Sequence, residues 1–234
     1  IDRIVDDMIE KADEIDYCLV GEPTSNERLG DSIRVGRRGS LSGELRVKGK
    51  QGHIAYPENV KNPIFLSSDL IVQLKNKVWD NGNAIFQPTS FQISNIASGT
   101  GAKNVVPGHL DMVFNFRFST ESTESSLRDE FESILHELNL DYDIDWYLSG
   151  LPYLTTDSTL KDIVVKSIKK ETGIDADKNA KGGTSDGRFI AKMNTEIIEL
   201  GPLNKTIHQI DECVSVKDIE TLKAIYLEVL RELN

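Results

Sequence analysis

Long apolar runs are missing from this sequence. No stretch approaches the ~20 residues that a membrane-spanning helix needs, and no leader with a charged start and apolar middle opens the chain. Cysteine is scarce, with two in 234 residues. Cys18 and Cys213 stand far apart in apolar surroundings, so two buried free thiols in a reducing cytoplasm are expected in place of a disulfide. Basic side chains are outnumbered: 27 Lys and Arg against 38 Asp and Glu leave a net charge of −11. That surplus argues against nucleic acid or an anionic membrane as partner and would welcome a divalent cation. Also absent are internal repeats, low-complexity tracts, a Walker loop, a dinucleotide fingerprint and a Gly-x-Ser-x-Gly elbow. An initiator methionine is missing too. Ile1, Ile4, Val5, Met8 and Ile9 fall at helical spacing, so the chain is expected to start inside a helix of something longer.

What is present reads as a soluble α/β protein. Hydrophobic residues make up 38% and charged residues 28%, and the length allows one large domain or two small ones with a real core. Residues 16–20 form a short apolar run ending at Gly21, a buried strand. From 41 to 150 the texture changes. Strands are expected at 41–47, 90–96, 109–117 and 141–148, with Leu110, Met112, Phe114 and Phe116 on one face of the third. Helices are expected at 63–78 and 124–138. Strand–helix–strand–strand–helix–strand is the ferredoxin-like order, which closes as a compact unit. A domain at 40–150 is therefore expected, inserted between residues 1–39 and 151–234. The α/β texture then returns, with helices at 160–172, 184–193 and 216–233 and a strand at 196–200.

Four places carry groups suited to chemistry. Glu22 follows the strand at 16–20, where a carboxylate can project from a strand end, although a solvent-facing loop glutamate is the simpler reading from position alone. Arg37 and Arg38 are two guanidiniums in an acidic chain, fit to pair with carboxylates or merely with nearby acids. Gly182-Gly183-Thr184-Ser185-Asp186, ahead of an expected helix, would present N–H groups and hydroxyls to an anion. His208 lies in the loop after Gly201-Pro202, where neutral imidazole could ligate zinc or simply hydrogen-bond.

Taken together, five blocks change the weighing. These are Gly21-Glu22-Pro23-Thr24, Gly36-Arg37-Arg38-Gly39-Ser40, Gly52-His53-Ile54-Ala55-Tyr56-Pro57, Gly182-Gly183-Thr184-Ser185-Asp186-Gly187-Arg188-Phe189 and the loop from Gly201 to Glu212. In this order, from about Tyr17 to the C-terminus, they resemble the co-catalytic di-zinc aminoacylase and carboxypeptidase family, most closely its desuccinylase branch. The resemblance implies a zinc-peptidase-like α/β catalytic domain at 1–39 and 151–234, interrupted by a ferredoxin-like dimerisation domain at 40–150. It implies two zinc ions ~3.5–4 Å apart, with cobalt able to replace one. Glu22 resembles a terminal ligand of one ion and His208 of the other. His53 resembles the histidine that a partner subunit donates to hold the oxyanion of the tetrahedral intermediate. Arg37, Ser40, Asn104, Arg117, Gly183, Thr184 and Asn204 resemble the contacts to a succinylated diamino acid, with Asn104 reaching over from the partner.

The same resemblance marks a departure. The family's His-x-Asp motif, bridging aspartate and Glu-Glu pair precede the position of Glu22, and residues 1–21 hold none of them. An N-terminal portion is therefore expected to be missing, leaving two of five protein ligands and no general base. Alone, such a chain is expected to hold no zinc pair tightly and to hydrolyse nothing. Other readings are a deacylase acting on acetylornithine or an aminoacylase, and a dimerisation module without activity.

Overall fold

The structure, a computed structural model, describes all 234 residues. The chain divides into two compact units, Ile1–Arg38 with Pro152–Asn234, and Gly39–Leu151. The first unit opens with α1 (Asp2–Glu10), β1 (Tyr17–Val20), β2 (Ser32–Arg34) and β3 (Gly36–Arg37). The second contains β4 (Gly39–Lys48), β5 (Gly52–His53), α2 (Pro63–Asn76), β6 (Ser90–Ser98), β7 (Val105–Val106), β8 (His109–Phe118), α3 (Glu124–Glu137) and β9 (Tyr142–Gly150). The first unit then resumes with β10 (Tyr153–Leu154), α4 (Thr159–Thr172), β11 (Asp177–Asn179), α5 (Gly187–Ile190), β12 (Glu196–Glu199) and α6 (Val216–Leu233). No helix is long and apolar enough to cross a membrane.

In the second unit the four long strands lie in the order β6-β8-β4-β9, every pair antiparallel. This is the ferredoxin-like arrangement expected from the pattern. Alternation on β8 buries Leu110, Met112, Phe114, Phe116 and Phe118 against α2 and α3, as period-two burial requires. Aromatic rings fill that layer. Phe114 stacks on Phe131 at 4.5 Å and Phe116 meets Trp79 edge-on at 4.6 Å, geometries that add to burial. Both helices begin on side-chain caps, Asn62 ahead of Pro63 and a reciprocal Thr123–Ser126 pair, which satisfy otherwise orphaned N–H groups.

The first unit holds a mixed sheet in the order β1-β12-β2-β11. β1 runs parallel to β12 and β2 parallel to β11, while β12 and β2 meet antiparallel at Glu199 and Arg34. Val164, Ile168, Ile197, Ile198, Ile225 and Val229 form its buried layer.

Two expectations are corrected. The helix expected over 184–193 is only Gly187–Ile190, followed by a 3-10 turn at Ala191–Met193. Residues 183–185 are pulled out of helical geometry, because the Gly183 carbonyl and the Ser185 hydroxyl are engaged elsewhere in the unit. Both cysteines are free, but Cys213 is exposed rather than buried, in a loop where its backbone N–H and carbonyl both bind the Thr206 hydroxyl. Cys18 is half-buried because β1 is an edge strand.

A polar hub closes the long connection between α2 and β6. Asp80 accepts from the Gly82 N–H at 2.8 Å, the Thr89 N–H at 2.9 Å, the Ser119 hydroxyl at 3.0 Å, the Ser122 hydroxyl at 2.6 Å and the Thr89 hydroxyl. Burial alone would raise its pKa, but these donors outweigh it and hold the carboxyl at about 2. The unfolded value is about 3.9, so the carboxylate's contribution is full above that pH and fades as pH falls through about 2. Discounted for solvent screening, it amounts to about 1–2 kcal/mol. Asp80→Asn is expected to lower urea-unfolding stability by that amount at pH 7, with the gap to wild type closing towards pH 2.

Candidate functional site

The first candidate feature is built at the exits of two strands. β1 and β12 are parallel neighbours, Tyr17 opposite Glu196 and Val20 opposite Glu199, so the loops after them leave the same end of the sheet. Open α/β sheets bind ligands at such ends. The two loops are stitched together. The Gly201 N–H donates to the Thr24 hydroxyl at 3.2 Å, and the Ser25 hydroxyl donates to the Gly201 carbonyl at 2.8 Å. The Ser25 N–H reaches the Pro202 carbonyl at 3.2 Å and the Asn204 N–H reaches the Ser25 carbonyl at 3.0 Å. A Cβ on residue 201 would stand 2.2 Å from the Glu22 carbonyl oxygen, so this approach requires glycine. Thr24 and Ser25 are wholly buried. Arg34, buried beside them, donates Nη2 to the Thr24 carbonyl at 3.1 Å.

This clamp sets half-buried Glu22 on one loop and Asn204 on the other. Further along the second loop, His208 is exposed with φ +62°, in the left-handed region that non-glycine residues seldom occupy. The turn is closed by the Ile207 N–H on the Asn204 carbonyl and the Gln209 N–H on the Thr206 carbonyl.

The second feature is a buried ion pair that sequence reasoning missed. Glu199, fully buried at the end of β12, accepts from Arg37 Nε at 2.9 Å and from Arg37 Nη2. The Tyr153 and Ser185 hydroxyls also donate to it. Burial first, then the Glu199 charge, push the Tyr153 phenol far above its usual value, so it remains a donor. Arg37 Nη1 reaches the carbonyls of Lys181 at 3.1 Å and Gly183 at 3.2 Å. Of five N–H donors on a guanidinium, four are thus engaged inside this unit. Gly182 has φ +102°, and a Cβ there would stand 2.5 Å from Arg37 Nη1. A Cβ on Gly187 would stand 2.5 Å from the Tyr153 hydroxyl. Gly183 is different: nothing lies within 4 Å of its Cβ position, and it and Thr184 are exposed.

In the second unit, two pairs come together. His53 on β5 faces Val105 on β7, and the Ile54 N–H donates to the Asn104 carbonyl at 3.1 Å. Both His53 and Asn104 are exposed. The Ala55 N–H donates to His53 Nδ1 at 3.1 Å, so the neutral ring carries its proton on Nε2 and can donate outward. The other pair is Ser40 and Arg117, direct cross-strand neighbours. Ser40 is buried and accepts from Asn115 Nδ2 at 3.1 Å. Burial lowers the Arg117 pKa, with no carboxylate acting on it. The pairs sit towards opposite ends of β4. From Ser40 to Lys48 the strand covers about 26 Å at its usual rise, and His53 lies beyond Lys48.

A catalytic zinc takes three protein ligands and a water. Glu22 and His208 offer a carboxylate and an imidazole, both suited to zinc. No group of three or more His, Cys, Asp or Glu side chains among the 234 residues is placed to hold a metal. These residues do not by themselves complete a zinc centre.

Comparison with known proteins adds the following. Residues 35–143 match the M20 peptidase dimerisation domain. A succinyl-diaminopimelate desuccinylase of Pseudomonas syringae pv. syringae is 52% identical over 98% of this chain and 61% of its own length. One from Polynucleobacter necessarius is 57% identical over 94% of this chain and 57% of its own length. The chain thus spans about three fifths of the length of these curated relatives. Among solved structures, an M20 family metallo-carboxypeptidase from Sulfolobus solfataricus superposes with a TM-score of 0.81 at 15% identity, over 98% of this chain and 66% of that one. A tripeptidase from Staphylococcus aureus gives 0.78 at 19% identity, over 97% and 59%. At such identities the structures speak to fold alone.

The two adjacent glycines are expected to respond differently to a methyl group. Gly182→Ala meets both a left-handed backbone and the pinned Arg37, and should cost about 1–3 kcal/mol in urea unfolding. Gly183→Ala should stay within about 0.5 kcal/mol of wild type.

Proposed function

We propose that this chain, similar in sequence to succinyl-diaminopimelate desuccinylases and matching the M20 peptidase dimerisation domain over residues 35–143, forms part of a di-zinc amide hydrolase. The substrate is N-succinyl-LL-2,6-diaminopimelate, cleaved to succinate and LL-2,6-diaminopimelate. Glu22 and His208 each serve as a terminal ligand to one of two zinc ions, and the remaining ligands and the general base lie outside residues 1–234. The observation that carries this reading is the clamp between the loops after β1 and β12, which sends both candidate ligand loops from one end of the sheet. Several apolar side chains left exposed on the first unit, among them Ile4, Ile210, Val216 and Leu230, fit a surface that further chain covers.

The substrate carries several carboxylates, which suits Arg117, a guanidinium with no carboxylate of its own. Gly183 and Thr184 offer exposed backbone and hydroxyl for the same purpose, and Asn204 its amide. Within one copy, His53 and Asn104 cannot reach Ser40 and Arg117 across the length of β4. The separation favours a homodimer through the 40–150 domain, in which His53 and Asn104 act on the partner's site. There the Nε2 proton of His53 is held ready for an oxyanion by the Ala55 N–H on Nδ1. Zinc, when bound, supplies Lewis-acid chemistry, and these side chains orient the acyl group and its carboxylates.

The test is a chimera joining this chain to the part of the Polynucleobacter relative that lies outside the match. It should sediment as a dimer and hydrolyse the succinylated substrate in preference to acetylornithine. His53→Ala should lower turnover at least ~10²-fold with zinc retained. Glu22→Ala and His208→Ala should lose zinc by metal analysis. Full zinc content in the latter two, or turnover by the unjoined 234-residue chain, would overturn the assignment.

A further inference from the structure

We propose that Glu199 is a positioning residue that fixes residues 181–185 through Arg37, with Tyr153 and Ser185 as its other two struts. The inference rests on the reading of Gly183 and Thr184 as substrate contacts and names what holds them in place.

A carboxylate with no exposed surface persists only when its lone pairs are filled and a cation stands beside it. Glu199 meets both conditions: Arg37 forks it, and two hydroxyls take the remaining acceptor sites. What Glu199 does for the loop follows from the opposite side of the guanidinium. With Nε and Nη2 anchored, Nη1 can only point one way, and it meets the carbonyls of Lys181 and Gly183. Two backbone carbonyls flanking Gly182 are thus held by one rigid group. Ser185 fixes the next anchor directly on the carboxylate, so the exposed stretch 182–184 is tethered at both ends to a single buried side chain.

The glycine pattern fits the same device. Gly182, without a Cβ, lets Arg37 Nη1 come close, and Gly187 leaves room for the Tyr153 hydroxyl. These two glycines therefore answer to the struts. Gly183 faces open space where a Cβ would stand, and with its carbonyl taken by Arg37 it is the N–H that is left to a ligand. One N–H of Arg37 Nη2 also remains uncommitted. A carboxylate bound at Gly183 and Thr184 would then be held by a loop whose shape is set before binding, and a preformed loop costs less to bind.

Two measurements separate this from a merely structural role. In the 234-residue chain, backbone 15N order parameters at Gly182, Gly183 and Thr184 should resemble rigid backbone, ~0.85, and fall below ~0.6 in Glu199→Gln, while α4 and α6 stay unchanged. Tyr153→Phe and Ser185→Ala, which remove one strut each, should give intermediate values and serve if Glu199→Gln does not fold. In the chimera, Tyr153→Phe should raise KM for the succinylated substrate several-fold with kcat within twofold. A wild-type loop already mobile, or unchanged order parameters in the folded variants, would overturn the proposal. An inactive chimera with the expected loop loosening would sink the functional reading and leave Glu199's positioning role standing.

Discussion

Parallel pairing of β1 with β12 is the constraint on which the rest depends. Four residue pairs in register, from Tyr17 opposite Glu196 to Val20 opposite Glu199, send two loops out of one sheet end. Without that register, the loops that carry Glu22 and His208 would not leave one end of the sheet. The pairing is short, and its apolar faces are modest, since β1 is an edge strand with its side chains only half covered. The loops themselves supply the missing definition. Thr24 and Ser25 spend their hydroxyls on Gly201 rather than on water, and each such buried bond adds about 1 kcal/mol while forbidding slippage. Proline at 202, lacking an N–H, ends the strand where the clamp begins.

Both units organise an irregular segment around one carboxylate. In the second unit Asp80 gathers hydroxyl and N–H donors and closes the α2–β6 connection. In the first, Glu199 takes a guanidinium and two hydroxyls. The difference lies in solvent. Asp80 is partly exposed and its effect is softened, whereas Glu199 is fully buried, so removing its cation would leave a charge with nothing to answer it, a loss of about 3–5 kcal/mol in comparable cases. A pair of that kind contributes more to specifying one arrangement than to net stability. Here the arrangement it specifies is a loop.

Much of the fold was legible from period alone. The alternation of Leu110, Met112, Phe114 and Phe116 marks β8, and the 3.6-residue spacing of Leu127, Phe131, Ile134 and Leu135 marks α3. Short polar strands were not legible, because Asp177-Lys178-Asn179 has no apolar face to read and pairs only because Ser32–Arg34 lies beside it. The helix expected from Thr184 failed for a related reason: propensity cannot see that Arg37, far away in sequence, will claim the Gly183 carbonyl. Of the candidate site, the strand exits and their Gly-rich loops were visible as breaks in pattern. Glu199 was visible too, as an acid set between Ile198 and Leu200 at the end of β12, and the rule that a buried charge must be paired would have pointed to an arginine. The tautomer of His53 was beyond reach, since it turns on one backbone N–H two residues on.

Everything functional in this account comes down to whether Glu22 and His208 grip neighbouring metal ions. Anomalous diffraction at the zinc edge, from crystals of the chimera grown with zinc, measures that directly. Two zinc peaks are expected, one about 2.0–2.2 Å from a Glu22 carboxylate oxygen and the other about 2.0–2.1 Å from a His208 ring nitrogen. Zinc bound elsewhere, with Glu22 and His208 both left out of its coordination, would contradict the account.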